Sequence, residues 1–112
     1  MLDRVASRLE QYMDLVSARQ KLVAANIANA DTPGYKTQDL DFQAELRNFM
    51  EGTAPRPAEV TGLTTKNDGN NVSLDREARL LAEDALRFSV ASALARAEIR
   101  AVKMAIKEGK GT

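Results

Sequence analysis

The chain has 112 residues, 44% of them hydrophobic and 29% charged, a balance that suits one globular domain and not a disordered segment. Its 16 basic and 16 acidic side chains cancel, so no overall charge draws it to nucleic acid or to an anionic membrane. Without Cys or His it has no disulfides, no thiolate chemistry and none of the commonest zinc ligands. No apolar run approaches the ~20 residues of a membrane span. The start, Met1-Leu2-Asp3-Arg4-Val5-Ala6-Ser7-Arg8, lacks the basic region and apolar run of a cleaved secretory signal. Aromatic residues are only 4%, with no Trp, so a core must be made of Leu, Val, Ile, Met and many Ala. Such a core is thin.

The first predicted element is a long helix over about residues 2–30. Its seam is Leu2, Ala6, Leu9, Met13, Val16, Gln20, Val23, Ile27 and Ala30, with steps of four and three throughout and only Gln20 polar. That is a heptad-like repeat. Leu15, Ala18, Leu22 and Ala25 form a second apolar line beside it, so the face is wider than a two-stranded seam needs.

Next comes Asn26-Ile27-Ala28-Asn29-Ala30-Asp31-Thr32-Pro33-Gly34-Tyr35-Lys36. Pro33 presets φ near −65° and biases Thr32 away from helix, and Gly34 supplies a positive φ, so Thr32 to Tyr35 fit a type II turn. Asn29 lies where an amide can satisfy the free carbonyls of a helix end. A helix followed by a Pro-Gly turn is by itself a common structural device. Asn26, Asn29, Thr32, Pro33, Gly34 and Tyr35 are the residues expected to fix the exit from the helix, with Tyr35 alternatively a cover for the core.

The middle, residues 31–72, is mixed. Phe42, Leu46, Phe49 and Met50 have helical spacing, and Gly52 ends the run, which predicts a short helix near 42–50. Pro55-Arg56-Pro57 favours an extended path. Gly62 and the cluster Asn67-Asp68-Gly69-Asn70-Asn71 mark loops, the cluster reading as a flexible connection more than a ligand site.

A second long helix is predicted over about residues 73–108. Its seam is Leu74, Ala78, Leu81, Ala85, Phe88, Ser92, Ala95, Ile99, Val102 and Ile106, again alternating four and three. Leu86, Val90, Leu94, Ala97 and Ala101 widen the face. Ser73 is a suitable N-cap; Asp75 and Glu77 suit the positive end of the helix dipole, Arg100, Lys103 and Lys107 the negative end, and Gly109 and Gly111 a stop. Asp75, Glu77, Glu83 and Asp84 suit a solvated helix start better than a metal site. Glu83–Arg87, Arg96 and the basic residues up to Lys110 read as a solvated face with i,i+4 support.

The architecture expected is mainly α: one domain over 1–112, with an antiparallel coiled-coil-like pair of N- and C-terminal helices and a short helix plus irregular or partly β middle. The residues expected to pack helices are Leu9, Met13, Val16, Val23, Ile27, Leu74, Leu81, Phe88, Ile99, Val102 and Ile106. Two helices packed only on each other need one apolar stripe apiece, and each has about two, which points to further partners.

The string from Asn26 to Lys36, following a helix that carries Leu-Val-Ser-Ala-Arg-Gln-Lys-Leu-Val at 15–23, resembles the signature of flagellar rod and hook proteins. Asp39-Leu40-Asp41-Phe42, Asn71-Val72-Ser73-Leu74-Asp75-Arg76-Glu77 and Leu81-Ala82-Glu83-Asp84-Ala85-Leu86-Arg87-Phe88 narrow the likeness to the proximal-rod branch. It spans residues 2–50 and 70–108 and lapses between about 52 and 67, where this chain is shorter than usual; Phe88-Ser89 stands where the family more often has Tyr-Gln.

The resemblance implies a structural subunit of the flagellar basal body with no catalytic site and no cofactor. It implies export through the flagellar type III apparatus without a cleaved signal, and assembly as a helical tube in the periplasm. The partners implied are other copies of the chain, other rod proteins, and the FliE adaptor and export gate at the rod base. The alternatives are another axial component, or a soluble helical adaptor or export chaperone that masks a partner helix. No nucleophile–base constellation suggests an enzyme.

Overall fold

A computed structural model describes residues 2–48 and 54–110. In chain order it has helix α1 (Leu2–Ala28), strand β1 (Gln38–Asp39), helix α2 (Phe42–Asn48), strand β2 (Ala58–Glu59) and helix α3 (Leu74–Lys110). Phe49, Met50 and Gly52, the expected end of the short helix, lie outside the described residues. The molecule measures 72 × 26 × 17 Å. At ~1.5 Å per residue α1 is about 40 Å long and α3 about 55 Å, so the length of the molecule is set by its two long helices.

α1 and α3 pack antiparallel. Asn26 meets Glu77, Arg19 meets Asp84, and Tyr12 meets Arg87, so positions rise along one helix as they fall along the other. β1 and β2 form one short antiparallel ladder, Gln38 opposite Glu59 and Asp39 opposite Ala58. The Val60 amide extends it by donating to the Thr37 carbonyl at 2.9 Å. The ladder and α2 lie against the middle of α1, and Leu15, Val16, Leu40 and Phe42 form the apolar core there, with Tyr12, Ala18, Leu22 and Leu46 around it.

Two helix ends differ from the sequence reading. α1 stops at Ala28, and Asn29 to Gly34 continue as turns before the chain straightens. α3 runs through Gly109 to Lys110. Gly109 has no positive φ, and a glycine near a helix end costs only ~1 kcal/mol against Ala, too little to break the last turn.

The larger correction concerns which line of α3 faces α1. The buried residues of α3 are Glu77, Asp84 and Ala91, seven apart, while Leu74, Leu81 and Phe88 are exposed. A line displaced by three residues is rotated by roughly 60° on a helix, so the apolar seam is turned partly out of the contact. Glu77 faces α1 because its carboxylate accepts from Asn26 there, with Arg76 beside it on α3, and Asp84 follows one heptad on, 4.0 Å from Arg19. Glu77 and Asp84 are therefore not part of a solvated face. Among the described residues, no helix is long and apolar enough to cross a membrane.

Candidate assembly surface and the corner that positions it

Asn26, fully buried near the end of α1, uses every hydrogen-bonding position of its amide. Nδ2 donates to the Gln38 carbonyl at 2.8 Å and to Glu77 Oε1 at 3.1 Å. Oδ1 accepts from the Tyr35 hydroxyl at 2.9 Å and from the Gln38 amide at 3.1 Å. One side chain thus ties α1 to β1, to the turn and to the first turn of α3.

The exit turn is built beside it. Gly34 has φ 75°, and the Tyr35 amide donates to the Thr32 carbonyl at 3.2 Å. Asn29 Nδ2 donates back to the Ala25 carbonyl at 2.8 Å and Thr32 Oγ1 to Asn29 Oδ1 at 3.0 Å. Asn70, also fully buried, closes the helix end from outside: its Nδ2 donates to the carbonyls of Asn29 and Thr32 at 2.8 and 2.9 Å. Both carbonyls lie past the last helical residue, Ala28, and each also accepts a turn amide, so Asn70 ties the exit turn together.

Residues 66–72 form a strap docked on this exit, not the flexible connection read from their composition. The Gly34 amide donates to the Asp68 carbonyl at 2.8 Å, and Lys36 Nζ to the Gly69 carbonyl at 2.6 Å. Asn71 Oδ1 accepts from the Thr37 amide and hydroxyl at 2.7 and 2.9 Å. Gly69, with φ 87°, sits so close that a Cβ there would stand 3.3 Å from Gly34 Cα. The strap leads directly into α3, whose Ser73 hydroxyl accepts from the Arg76 amide at 3.2 Å.

Below the corner lies a buried ionic cluster. Arg19 Nε is 3.4 Å from Asp39 Oδ1, and Arg76 bridges Asp39 to Glu77. Asp84 is fully buried with no hydrogen bond among the described residues, and its nearest cation is Arg19 at 4.0 Å. Burial pushes its carboxyl above the ordinary carboxylate range, with Arg19 pulling the other way. Further down, the Arg87 guanidinium stacks over Phe42 at 4.5 Å from the ring centroid, with Arg19 at 5.4 Å and Tyr12 edge-on at 6.0 Å.

Away from the corner, the helix pair leaves apolar surface in solvent. A groove of about 660 Å³ runs between the first half of α1 and the second half of α3, lined chiefly by Leu9, Met13, Ile99 and Val102. A second hollow, of about 380 Å³, lies along the contact line on another side, lined by Val5, Tyr12, Val90 and Leu94. Leu86, Leu94, Ile99, Met104 and Ile106 are each more than half exposed.

A family profile described as "Flagella basal body rod protein" matches residues 13–36, the stretch that contains Asn26 and the exit turn. "Flagellar basal body rod protein FlgB" of Escherichia coli K12 is 29% identical over 137 aligned residues, covering 97% of this chain and 99% of the relative. FlgB of Salmonella typhimurium LT2 is 30% identical over 141 residues, covering 97% and 99%. FlgB of Buchnera aphidicola from Acyrthosiphon pisum is 30% identical over 120 residues, covering 88% and 90%. The chain belongs to the FlgB family of flagellar basal-body rod proteins. The E. coli alignment is longer than the 112 residues of this chain, so that FlgB has residues absent here.

In this FlgB-family chain the expected site residues fall into two groups. Asn26, Asn29, Thr32, Gly34 and Tyr35 meet at the corner through the contacts above, while Pro33 is exposed at its tip. Of the helix-packing set, Val16 and Val23 are buried, and Leu9, Met13 and Val102 half-buried. Ile27, Leu74, Leu81, Phe88, Ile99 and Ile106 are exposed, Leu74 at 57% and Ile106 at 54%. Sequence reading missed Asn70, Asn71, Thr37 and the Arg19–Asp39–Arg76–Glu77 cluster. A signal for the last was present: Arg19 and Asn26 are seven apart on α1, as are Glu77 and Asp84 on α3, a polar line beside the apolar one.

Proposed function

We infer that the chain is a structural subunit of the flagellar proximal rod, working by helical self-assembly after flagellar export and not by catalysis. Its place is the periplasmic rod, among other copies of itself and other rod proteins, with the FliE adaptor and export gate at the base. The observation that carries this reading is the split between the two ends of the helix pair. One end is closed by buried polar contacts around Asn26, Asn70 and Asn71. The other presents apolar side chains on several sides, as an element shared among neighbours requires and as a self-sufficient monomer does not.

The test is a complementation assay with Pro33-Gly34 replaced by Ala-Ala. Assembly should suffer more than secretion, because the exit direction of α1 is lost while the helices remain. Unchanged motility would contradict the reading. An adaptor or chaperone would instead form a defined one-to-one complex with a single partner.

A further inference from the structure

The exposed apolar surface is bordered by charge of opposite sign on its two sides. The groove of Leu9, Met13, Ile99 and Val102 is edged on α1 by Glu10 and Asp14, and Glu98 also lines it; Lys103 is its one lining cation among the described residues. The hollow of Val5, Val90 and Leu94 carries Arg8 and Arg87, the latter already paired with Glu83 at 3.2 Å, and no acidic lining residue among those described. Arg4 adjoins Arg8 in a further shallow hollow on α1. α1 thus keeps Arg4 and Arg8 on one edge and Glu10 and Asp14 on another. Leu9 lines both surfaces, so they flank one line of helix contact.

A groove that met its own copy through a two-fold axis would set two net-acidic linings face to face, Glu10, Asp14 and Glu98 outnumbering Lys103 on each. Like charges so juxtaposed oppose association, whereas unlike edges favour it and set the orientation. We propose that a second copy of this chain seats its Val5–Arg8–Val90–Leu94 side in the acidic-edged groove of Leu9, Met13, Ile99 and Val102. The contact is head-to-tail: each copy gives one surface and receives with the other. Such a contact does not close on two copies and continues into a ring or an open helix. This deepens the rod reading, on which it rests, by naming which side of the helix pair meets which.

The chain has no Cys, so single thiols report cleanly. A Met13→Cys chain and a Leu94→Cys chain, each full length, are mixed under mild oxidation. The mixture should form disulfide dimers faster than either chain alone, and faster than Met13→Cys mixed with an exposed control, Thr65→Cys. Dimers of Met13→Cys alone forming as fast as the mixture would overturn the proposal, and so would a mixture no faster than the control. Arg8→Glu in the Leu94→Cys chain should slow cross-linking by about tenfold, the equivalent of ~1.4 kcal/mol. Glu10→Lys with Asp14→Lys in the Met13→Cys chain should restore it. Failure of that rescue would remove the charge pairing. Cross-linking by a chain that is absent from basal bodies would remove the rod reading and leave the contact; presence in basal bodies without cross-linking would do the reverse.

Discussion

Asn26 on α1 donates to Glu77 on α3 at 3.1 Å, joining residues 51 positions apart at a point sealed from water. The same amide carries the Tyr35 hydroxyl and the backbone of Gln38. Replacing it by Ala therefore orphans several groups at once. Each buried group left without a partner costs about 1–3 kcal/mol, so Asn26→Ala should destabilise the fold by about 3 kcal/mol or more. Asn29→Ala, which loses two exposed bonds, to the Ala25 carbonyl and from the Thr32 hydroxyl, should cost ~1 kcal/mol or less. Urea unfolding of the two variants checks the order, and equal effects would contradict it.

The strap depends on the close approach of Gly69 to Gly34. Gly69→Ala adds a Cβ 3.3 Å from Gly34 Cα and also strains a residue at φ 87°. Gly62→Ala has similar strain, φ 81°, but meets open space. Left-handed backbone costs a non-glycine residue roughly 1–2 kcal/mol. Gly62→Ala should show that cost alone, and Gly69→Ala a larger one, together with faster hydrogen exchange at the Gly34 amide that donates to Asp68.

Asp84 predicts a pH dependence with a definite sign. Its carboxyl is raised above 3.8, first by burial, so the protonated form suits the folded state better. Its contribution to stability is full below 3.8 and is lost as pH rises through the raised value. Asp84→Asn removes that loss. The variant should be more stable than the parent at neutral pH and converge with it in acid, measured as the difference in unfolding free energy between the two from pH 3 to 8. Arg19 keeps Asp39 at 3.4 Å, so the substitution does not strand it.

Phe42 holds α2 to both long helices through its ring. The Arg87 and Arg19 guanidiniums and the edge of Tyr12 all meet it. Phe42→Leu keeps a large apolar side chain but loses the cation–π and aromatic contacts, each worth about 0.5–1.5 kcal/mol. A loss of about 2 kcal/mol is expected by thermal or urea unfolding. A loss below ~0.5 kcal/mol would mean that the ring acts only as filler.

The long helices and their antiparallel pairing were legible because heptad spacing, an N-cap at Ser73 and the Pro33-Gly34 break are local signals. The helix face that forms the contact was not. Hydrophobic periodicity ranks Leu74, Leu81 and Phe88 above Glu77 and Asp84, yet Asn26 and Arg19 on α1 stand beside the two carboxylates, neighbours that only the folded chain brings near. The strap was misread for a related reason. Asn, Asp and Gly signal a loop wherever they stand, and only the folded chain brings Asn70 onto the turn carbonyls of Asn29 and Thr32 and Asn71 onto the Thr37 amide.

The central claim is that this helix pair is a shared wall of the rod, with its locked corner directing the chain out of that wall. Imaging of purified basal bodies, at a resolution that traces helices, tests it most directly. The account predicts repeated copies of the antiparallel α1–α3 pair at the base of the rod, their apolar sides covered by neighbours. Complete rods assembled without this chain would contradict it.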